Sequence, residues 1–390
     1  MRELLVLLSF GWALAVLAQE APLNIIVIYT DDQGYADLGC YGSDTIATPH
    51  LDRLAAEGAR LTDFYASAPV CTPSRAGLLT GCYPARLGLQ RGVIFPQHNH
   101  GLNPAETTIA EVLAPLGYAS MAIGKWHLGH QKELLPQAQG FDQWFGIPYS
   151  NDMGVDWKHN KNAALKEHWK RHGESWKTYP VPLMRGSETV ENPADQRTLT
   201  RRYTDEAVSF IETNAAKPFF LYLAHSMPHI PLYVAPETHD ADPEDAYRLT
   251  IAEIDASTGR IREALAAAGI EERTLLIFTS DNGPWLSKQP FAGSADPLQG
   301  GKQSTREGGM RVPGIIWAPG HVPAGQTLTQ LAAQIDLLPT IAEAAGAPLL
   351  QDQQIDGISL WPLLTNAPQA ESRETFLYYN HRNGKAEAIR

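Results

Sequence analysis

Residues 24–32 read NIIVIYTDD. Ile25 to Tyr29 form an unbroken apolar run, mostly β-branched, with no polar alternation. Such a run suits a strand covered on both faces rather than one with a wet side. Two aspartates follow at once. The same order returns at residues 274–283, TLLIFTSDNG: a buried strand, then Asp281-Asn282, then glycine. Between and after these lie further strand candidates, YASMAIG, PFFLYLA and GIIWAPG. Helical patterns at 49–57, after Thr72, and at 106–114, 202–212, 246–268 and 334–346 alternate with them. Alternation of this kind predicts an α/β fold: a large, mostly parallel (mixed) sheet sandwiched by helices. In open sheets of that class, ligands gather at the carboxyl ends of strands, so both acidic pairs are expected to meet at one site.

The chain has 390 residues, 44% hydrophobic and 19% charged, enough for one large domain or a large and a small one. Leu4 to Ala18 is apolar after a single arginine, too short to span a bilayer comfortably, and it ends in small residues before Gln19-Glu20. We expect a signal peptide at 1–18, a catalytic domain at 19–365, and from 366 the start of a small C-terminal sheet, apparently truncated at 390. No asparagine sits in an Asn-x-Ser/Thr acceptor, which favours a bacterial periplasmic or secreted protein. A net charge of −12 argues against broad attraction to nucleic acid or to an anionic membrane. The three cysteines, Cys40, Cys71 and Cys82, leave at least one without an internal partner. Whether Cys40 and Cys82 pair stays open.

Asp31, Asp32, Asp281 and Asn282 offer only oxygen donors. Three gathered carboxylates repel unless a cation neutralises them, and an oxygen set suits Ca²⁺ or Mg²⁺ rather than zinc. Aspartate after a strand is also common as a turn or cap residue; two such pairs together favour the metal. A cationic side accompanies them. GKWH places Lys125 and His127 two apart, which at extended spacing puts both on one face and turns Trp126 away. His229 sits between prolines with His225 four before it, and Lys302 lies on a glycine-flanked loop. Singly, each is more often a solvated charge or a satisfied histidine, and His98 and His100 are left in that class.

Residues 70–81, VCTPSRAGLLTG, set a thiol ahead of a helix start, with Thr72 as cap, Pro73 at the first position and Arg75 in the first turn. Backbone N–H groups there favour an anion, so an activated thiolate is the first reading. Hard cations, however, prefer oxygen to sulfur. Residues 69–81 and GYASMAIGKWH resemble the two motifs of the sulfatase family, of the alkaline-phosphatase-like superfamily. DDQGYADLGCYG, GIPYSND, TSDNG, GKQSTREGGMRVPG and DLLPTI resemble it further, over about residues 24–364. The arylsulfatase A and N-acetylgalactosamine-6-sulfatase branch is the nearest in pattern.

The resemblance implies that a maturation enzyme oxidises Cys71 to formylglycine (3-oxoalanine), whose hydrate is the nucleophile and touches the metal. It implies Asp31, Asp32, Asp281 and Asn282 as ligands of one Ca²⁺ or Mg²⁺. Arg75 would steady the hydrate, Lys125 and Lys302 bind sulfate, and His127 and His229 transfer protons. Ser150 matches a further site position. The implied substrate is an aryl or carbohydrate sulfate ester: one hydroxyl of the hydrate attacks sulfur and His229 protonates the leaving oxygen. His127 then deprotonates the second hydroxyl, so the intermediate collapses to aldehyde and sulfate. Residues 156–177 hold six lysines and arginines interleaved with Trp157, Trp169 and Trp176, and are read as a sugar-binding lid or an exposed helical insertion. Rival readings are a phosphodiesterase or phosphonate monoester hydrolase of the same superfamily, and a silent sulfoglycan-binding protein. Oligomeric state is left open.

Overall fold

The computed structural model describes residues 22–154, 180–238, 245–349, 354–368 and 370–390. The proposed signal segment and the tryptophan-rich stretch 156–177 therefore lie outside the described residues. In chain order the first strands are β1 (Asn24–Thr30), β2 (Ala59–Leu61), β3 (Phe64–Tyr65), β4 (Ala119–Lys125), β5 (Gln143–Ile147), β6 (Leu183–Arg185) and β7 (Glu188–Glu191). They are followed by β8 (Phe219–Ala224), β9 (Thr274–Ser280), β10 (Gly314–Trp317), β11 (Gln326–Leu328), β12 (Ala332–Ala333), β13 (Leu377–Tyr379) and β14 (Ala386–Ile389).

Among the described residues, ten strands form one sheet in the order β11-β2-β10-β9-β1-β8-β4-β5-β6-β7. The centre, β9-β1-β8-β4-β5, is parallel, while β10, β6 and β7 pair antiparallel with their neighbours. The mixed sheet expected from the sequence is what forms. Alternate residues of β1 feed two cores: Ile25, Val27 and Tyr29 on one face, Ile26 and Ile28 on the other. All seven residues of β1 and of β9 are buried, which is why neither shows polar alternation. The first face is covered by α2 (Cys71–Thr80), α3 (Ile109–Leu113) and the helix Leu337–Ala345. The second is covered by α1 (Pro49–Glu57) and the long helices Leu199–Asn214 and Ala246–Ala267. None of the helices described is long and apolar enough to cross a membrane.

Register decides where the chemistry falls. β1 and β9 pair in step from Asn24↔Thr274 to Thr30↔Ser280, so Asp31 and Asp281 leave the sheet side by side. The backbone N–H of Asp281 still donates to Thr30 O at 3.0 Å. Gly124 near the end of β4 has φ +99°, and a Cβ there would lie 1.8 Å from Ala224 O. Only glycine lets β4 run this close to β8 and deliver Lys125 to the same edge.

A small hairpin, β13-β14, packs Phe376 and Tyr378 on Tyr65, Met310 and Ile335 in a third, separate cluster. It is tied down at two places beside the site. Thr305 Oγ1 donates to Glu387 at 2.6 Å, and the N–H of Gly92 donates to His381 O at 2.8 Å.

Candidate active site

The carboxyl ends of β1, β4, β8 and β9 surround one cavity of about 340 Å³, lined by Cys71, His127, Ser150, His229 and Lys302 among others. Asp31, Asp32, Asp281, Asn282, Arg75 and Lys125 are buried behind them. Asp31, Asp32, Cys71, Arg75, Lys125, His127, Ser150, His229, Asp281, Asn282 and Lys302 are thus in one cluster.

Cys71 is the first residue of α2, with Val70 in the extended cap conformation. This corrects the sequence expectation: Thr72 is not the cap. Its hydroxyl instead donates to His127 O at 2.9 Å and accepts from the Ile94 N–H at 3.1 Å. All ten residues of α2 are buried. The thiol donates to Asp31 Oδ1 at 3.5 Å and receives Lys302 Nζ at 3.4 Å. Burial, with Asp281 and Asp31 alongside, pushes its pKa well up. The activated thiolate suggested by the helix start is therefore not what this setting favours.

Arg75 crosses beneath the site. Its Nε and Nη2 donate to Asp281 Oδ2 at 3.1 and 2.8 Å, and Nη1 donates to Lys125 O at 2.8 Å. Its guanidinium lies 5.3 Å from the Tyr29 ring centre. Lys125 Nζ bonds Asp31 Oδ2 at 2.5 Å and Ser150 Oγ at 3.1 Å. Lys302 Nζ meets Asp32 at 2.6 Å, and Asn282 Nδ2 donates to Asp32 Oδ1 at 2.7 Å. Burial alone would lower the Lys302 pKa, but Asp32 foremost outweighs it and drives it up, so the side chain stays charged.

His127 reaches the cavity by a different route from the one its spacing suggested. β4 ends at Lys125, and His127 has φ +59°, so the two-residue pleat no longer relates them. Among the described residues, Asp32, His127 and Gln303 are three of the four non-glycine residues with positive φ, and all three belong to this site. Strained backbone of this kind persists where the surroundings hold it in place. His127 Nε2 bonds Ile94 O at 2.8 Å, which places its proton there and leaves buried Nδ1 without a partner among the described residues. His229 Nδ1 bonds Ile230 O at 2.5 Å, and Nε2 lies 3.5 Å from Asp32 Oδ2. Burial lowers both histidine pKa values well below normal, with Lys125 next for His127 and Lys302 next for His229.

The donor set fits a hard divalent cation. Ligand atoms of Asp31, Asp32, Cys71 and His229 lie within 4.8 Å of one another. Asn282 Oδ1 is buried with no hydrogen-bond partner among the described residues. Burial, with Asp31 and Asp281 adding to it against Lys302, pushes Asp32 up to about 7. A cation in the cluster would relieve that crowding and satisfy the orphan oxygen. Sulfur is the misfit among these ligands.

The remaining sequence candidates lie elsewhere. His225 contacts Ser257 Oγ at 3.4 Å and is outside the cavity lining; His98 and His100 stack on each other. Cys40, Cys71 and Cys82 are all free thiols. Sequence reasoning missed Asp152 and Trp285, which line the cavity. It also missed Gln334, whose Oε1 accepts from Tyr29 and Ser74 while Nε2 donates to Ser280 O, joining β1, α2 and β9. The run GIPYSND, quoted for its serine, held the signal for Asp152; Gln334 reads as an ordinary polar helix residue.

Comparison with known proteins agrees with this geometry. The sulfatase family model matches residues 23–347. Human arylsulfatase A is 39% identical over 97% of this chain and 73% of its own length. Mouse N-acetylgalactosamine-6-sulfatase is 39% identical over 97% of this chain and 72% of its own. The crystal structure of Ps i-CgsB in complex with k-i-k-neocarrahexaose superposes with a TM-score of 0.78 at 33% identity, covering 92% of this chain and 80% of that one. With strand-end carboxylates, buried cations and Cys71 at one cavity, and with these likenesses spanning nearly its whole length, the chain belongs to the sulfatase family, on the side of arylsulfatase A and N-acetylgalactosamine-6-sulfatase.

Proposed function

We propose that this sulfatase cleaves aryl or carbohydrate sulfate esters with residue 71 as an aldehyde hydrate and with one Ca²⁺ or Mg²⁺. The position of Cys71 carries the proposal. A thiol kept protonated by burial is a poor nucleophile, and sulfur is a poor neighbour for a hard cation; an oxygen there answers both. Oxidised and hydrated, residue 71 supplies an oxygen nucleophile with a second hydroxyl beside it. When bound, the cation supplies Lewis acidity toward a sulfate oxygen, held by Asp31, Asp32, Asp281 and Asn282.

The other side chains divide the remaining work. Lys302, Lys125 and Ser150 offer donors to sulfate oxygens, and the fixed cations offset the charge that would repel an incoming oxyanion. Arg75 holds Asp281 from below. His229 donates its Nδ1 proton to Ile230 O, so it delivers a proton to the leaving oxygen from Nε2 only after Nε2 has itself been protonated, as the imidazolium. His127, anchored through Nε2, has Nδ1 available to accept one.

The direct test compares 4-nitrophenyl sulfate with 4-nitrophenyl phosphate, using protein whose residue-71 mass confirms conversion. Sulfate turnover is expected to exceed phosphate turnover. Chelation should lower it at least about 10²-fold, a modest share of what a bound cation contributes, and added Ca²⁺ or Mg²⁺ should restore it. A preference for phosphate, or indifference to chelation, would overturn the proposal.

Leaving-group dependence checks His229 separately. His229→Ala is expected to slow hydrolysis of an alkyl (sugar) sulfate about 10²- to 10³-fold, since an alkoxide leaves poorly without a proton. For 4-nitrophenyl sulfate the loss should be about 10-fold or less, because nitrophenolate needs little help. Equal losses on both would remove His229 from the acid role.

A further inference from the structure

We infer that Asp152 selects sulfated sugars by accepting a hydrogen bond from a hydroxyl beside the ester. This rests on the sulfate-ester reading above. Asp152 lies in the short turn Asn151–Met153 directly after Ser150 and lines the same cavity as Cys71, His229 and Lys302. Its Oδ1 is buried and, among the described residues, has no hydrogen-bond partner. The turn cannot easily swing away to find one. Asn151 Nδ2 donates to His229 O and Pro231 O at 3.2 Å each, and Gln196 Nε2 donates to Asn151 O at 3.0 Å. An acceptor held rigidly at the cavity wall draws its partner from whatever enters the cavity.

The chemistry of that partner is constrained by charge. Burial pushes the Asp152 pKa up, while Lys125 and the Ser150 hydroxyl work against the shift. In its ionised form the carboxylate repels a sulfate oxygen and attracts a donor. Its place in the site is therefore beside the sulfate, facing neutral hydroxyl or ammonium groups of the attached ring. A phenyl ring offers no such donor next to its ester oxygen; a pyranose offers vicinal hydroxyls. Phe95 adds apolar wall, while the Trp285 ring, its centre 5.6 Å from that of His229, carries Lys302 Nζ and Lys288 Nζ at 4.6 and 4.8 Å. An apolar side chain beside one fixed acceptor suits a sugar ring. A second sulfate on the neighbouring carbon would meet Asp152 and be disfavoured.

The test uses matured enzyme and four sugar probes: methyl galactoside 6-sulfate with its 4-deoxy analogue, and the 4-sulfate with its 3-deoxy analogue. 4-Nitrophenyl sulfate serves as reference. For at least one sugar pair, removing the hydroxyl should lower kcat/KM roughly 10- to 100-fold, the range for losing a hydrogen bond to a charged group. In Asp152→Ala the parent sugar should fall by a similar factor, and its advantage over the deoxy analogue should vanish. The variant's loss on the sugar should exceed its loss on 4-nitrophenyl sulfate at least tenfold. Two results would overturn the inference: deoxy and parent sugars cleaved alike by the unaltered enzyme, or Asp152→Ala losing sugar and aryl substrates equally, as a merely structural role would. Failure of the unaltered enzyme on 4-nitrophenyl sulfate itself would instead defeat the underlying sulfatase mechanism, and the inference with it.

Discussion

Replacing Cys71 by serine is expected to lower steady-state turnover at least about 10³-fold, the scale on which loss of a working nucleophile is felt. The substitution is sterically mild. Serine keeps an oxygen at the first position of α2, beside Asp31 and Lys302, and suits a hard cation better than sulfur does. It lacks a second hydroxyl on the same carbon. Attack on sulfur would leave a sulfate ester of serine with no internal route to break its C–O bond. The protein is therefore expected to gain the mass of one sulfo group after incubation with substrate, as alcohol is released in a single stoichiometric turnover. Undiminished steady-state turnover would sink the hydrate mechanism. A serine variant that folds but gains no mass would place the defect earlier, at attack.

Arg75→Ala should have the largest effect on the folded state. The guanidinium is fully buried, makes two bonds to Asp281 and one to Lys125 O, and lies near the Tyr29 ring. Truncation leaves Asp281 buried with its main counterion gone. Breaking one side of a buried pair costs about 3–5 kcal/mol. A fall in melting temperature of roughly 10 °C, or loss of soluble protein, is expected in a thermal melt. Arg75→Lys should recover only part, because an ammonium cannot span Asp281 and Lys125 O as the planar fork does. Melting of Arg75→Ala within a degree or two of the parent would show that Asp281 does not depend on it.

Some of this architecture was legible residue by residue. The unbroken apolar runs at 24–30 and 274–280 announced buried strands because both faces of each are packed. Their acidic ends met because parallel neighbours in step put equivalent positions at one edge. α3 begins later than its pattern suggested: Thr108 and Glu111 form a reciprocal cap, a Thr-x-x-Glu signal present in the sequence that fixes the start at Ile109. The turn at His127 was not legible, because spacing presumes an extended chain and that residue is left-handed. Asp152 and Trp285 lie after a strand and in a loop, where no period links a residue to the site it borders. The Lys125 and Lys302 contacts were half visible. Their charge suited an anion, but their pairing with Asp31 and Asp32 depends on packing between segments far apart in the chain.

The hairpin at Leu377–Ile389 has a consequence for local opening at the cavity. It grips the Lys302 loop through Thr305 and, through Gly92, the segment that leads to the lining residues Val93 and Phe95, yet its apolar contacts form a cluster of their own rather than part of either sheet face. Units held by a separate small cluster detach at lower free energy than the central strands. Exchange of the hairpin's amides is therefore expected to outpace that of β1, β8 and β9, while the Lys302 N–H, bonded to Pro284 O, and the Gln303 N–H, bonded to Pro69 O, keep the cavity side of that loop in place.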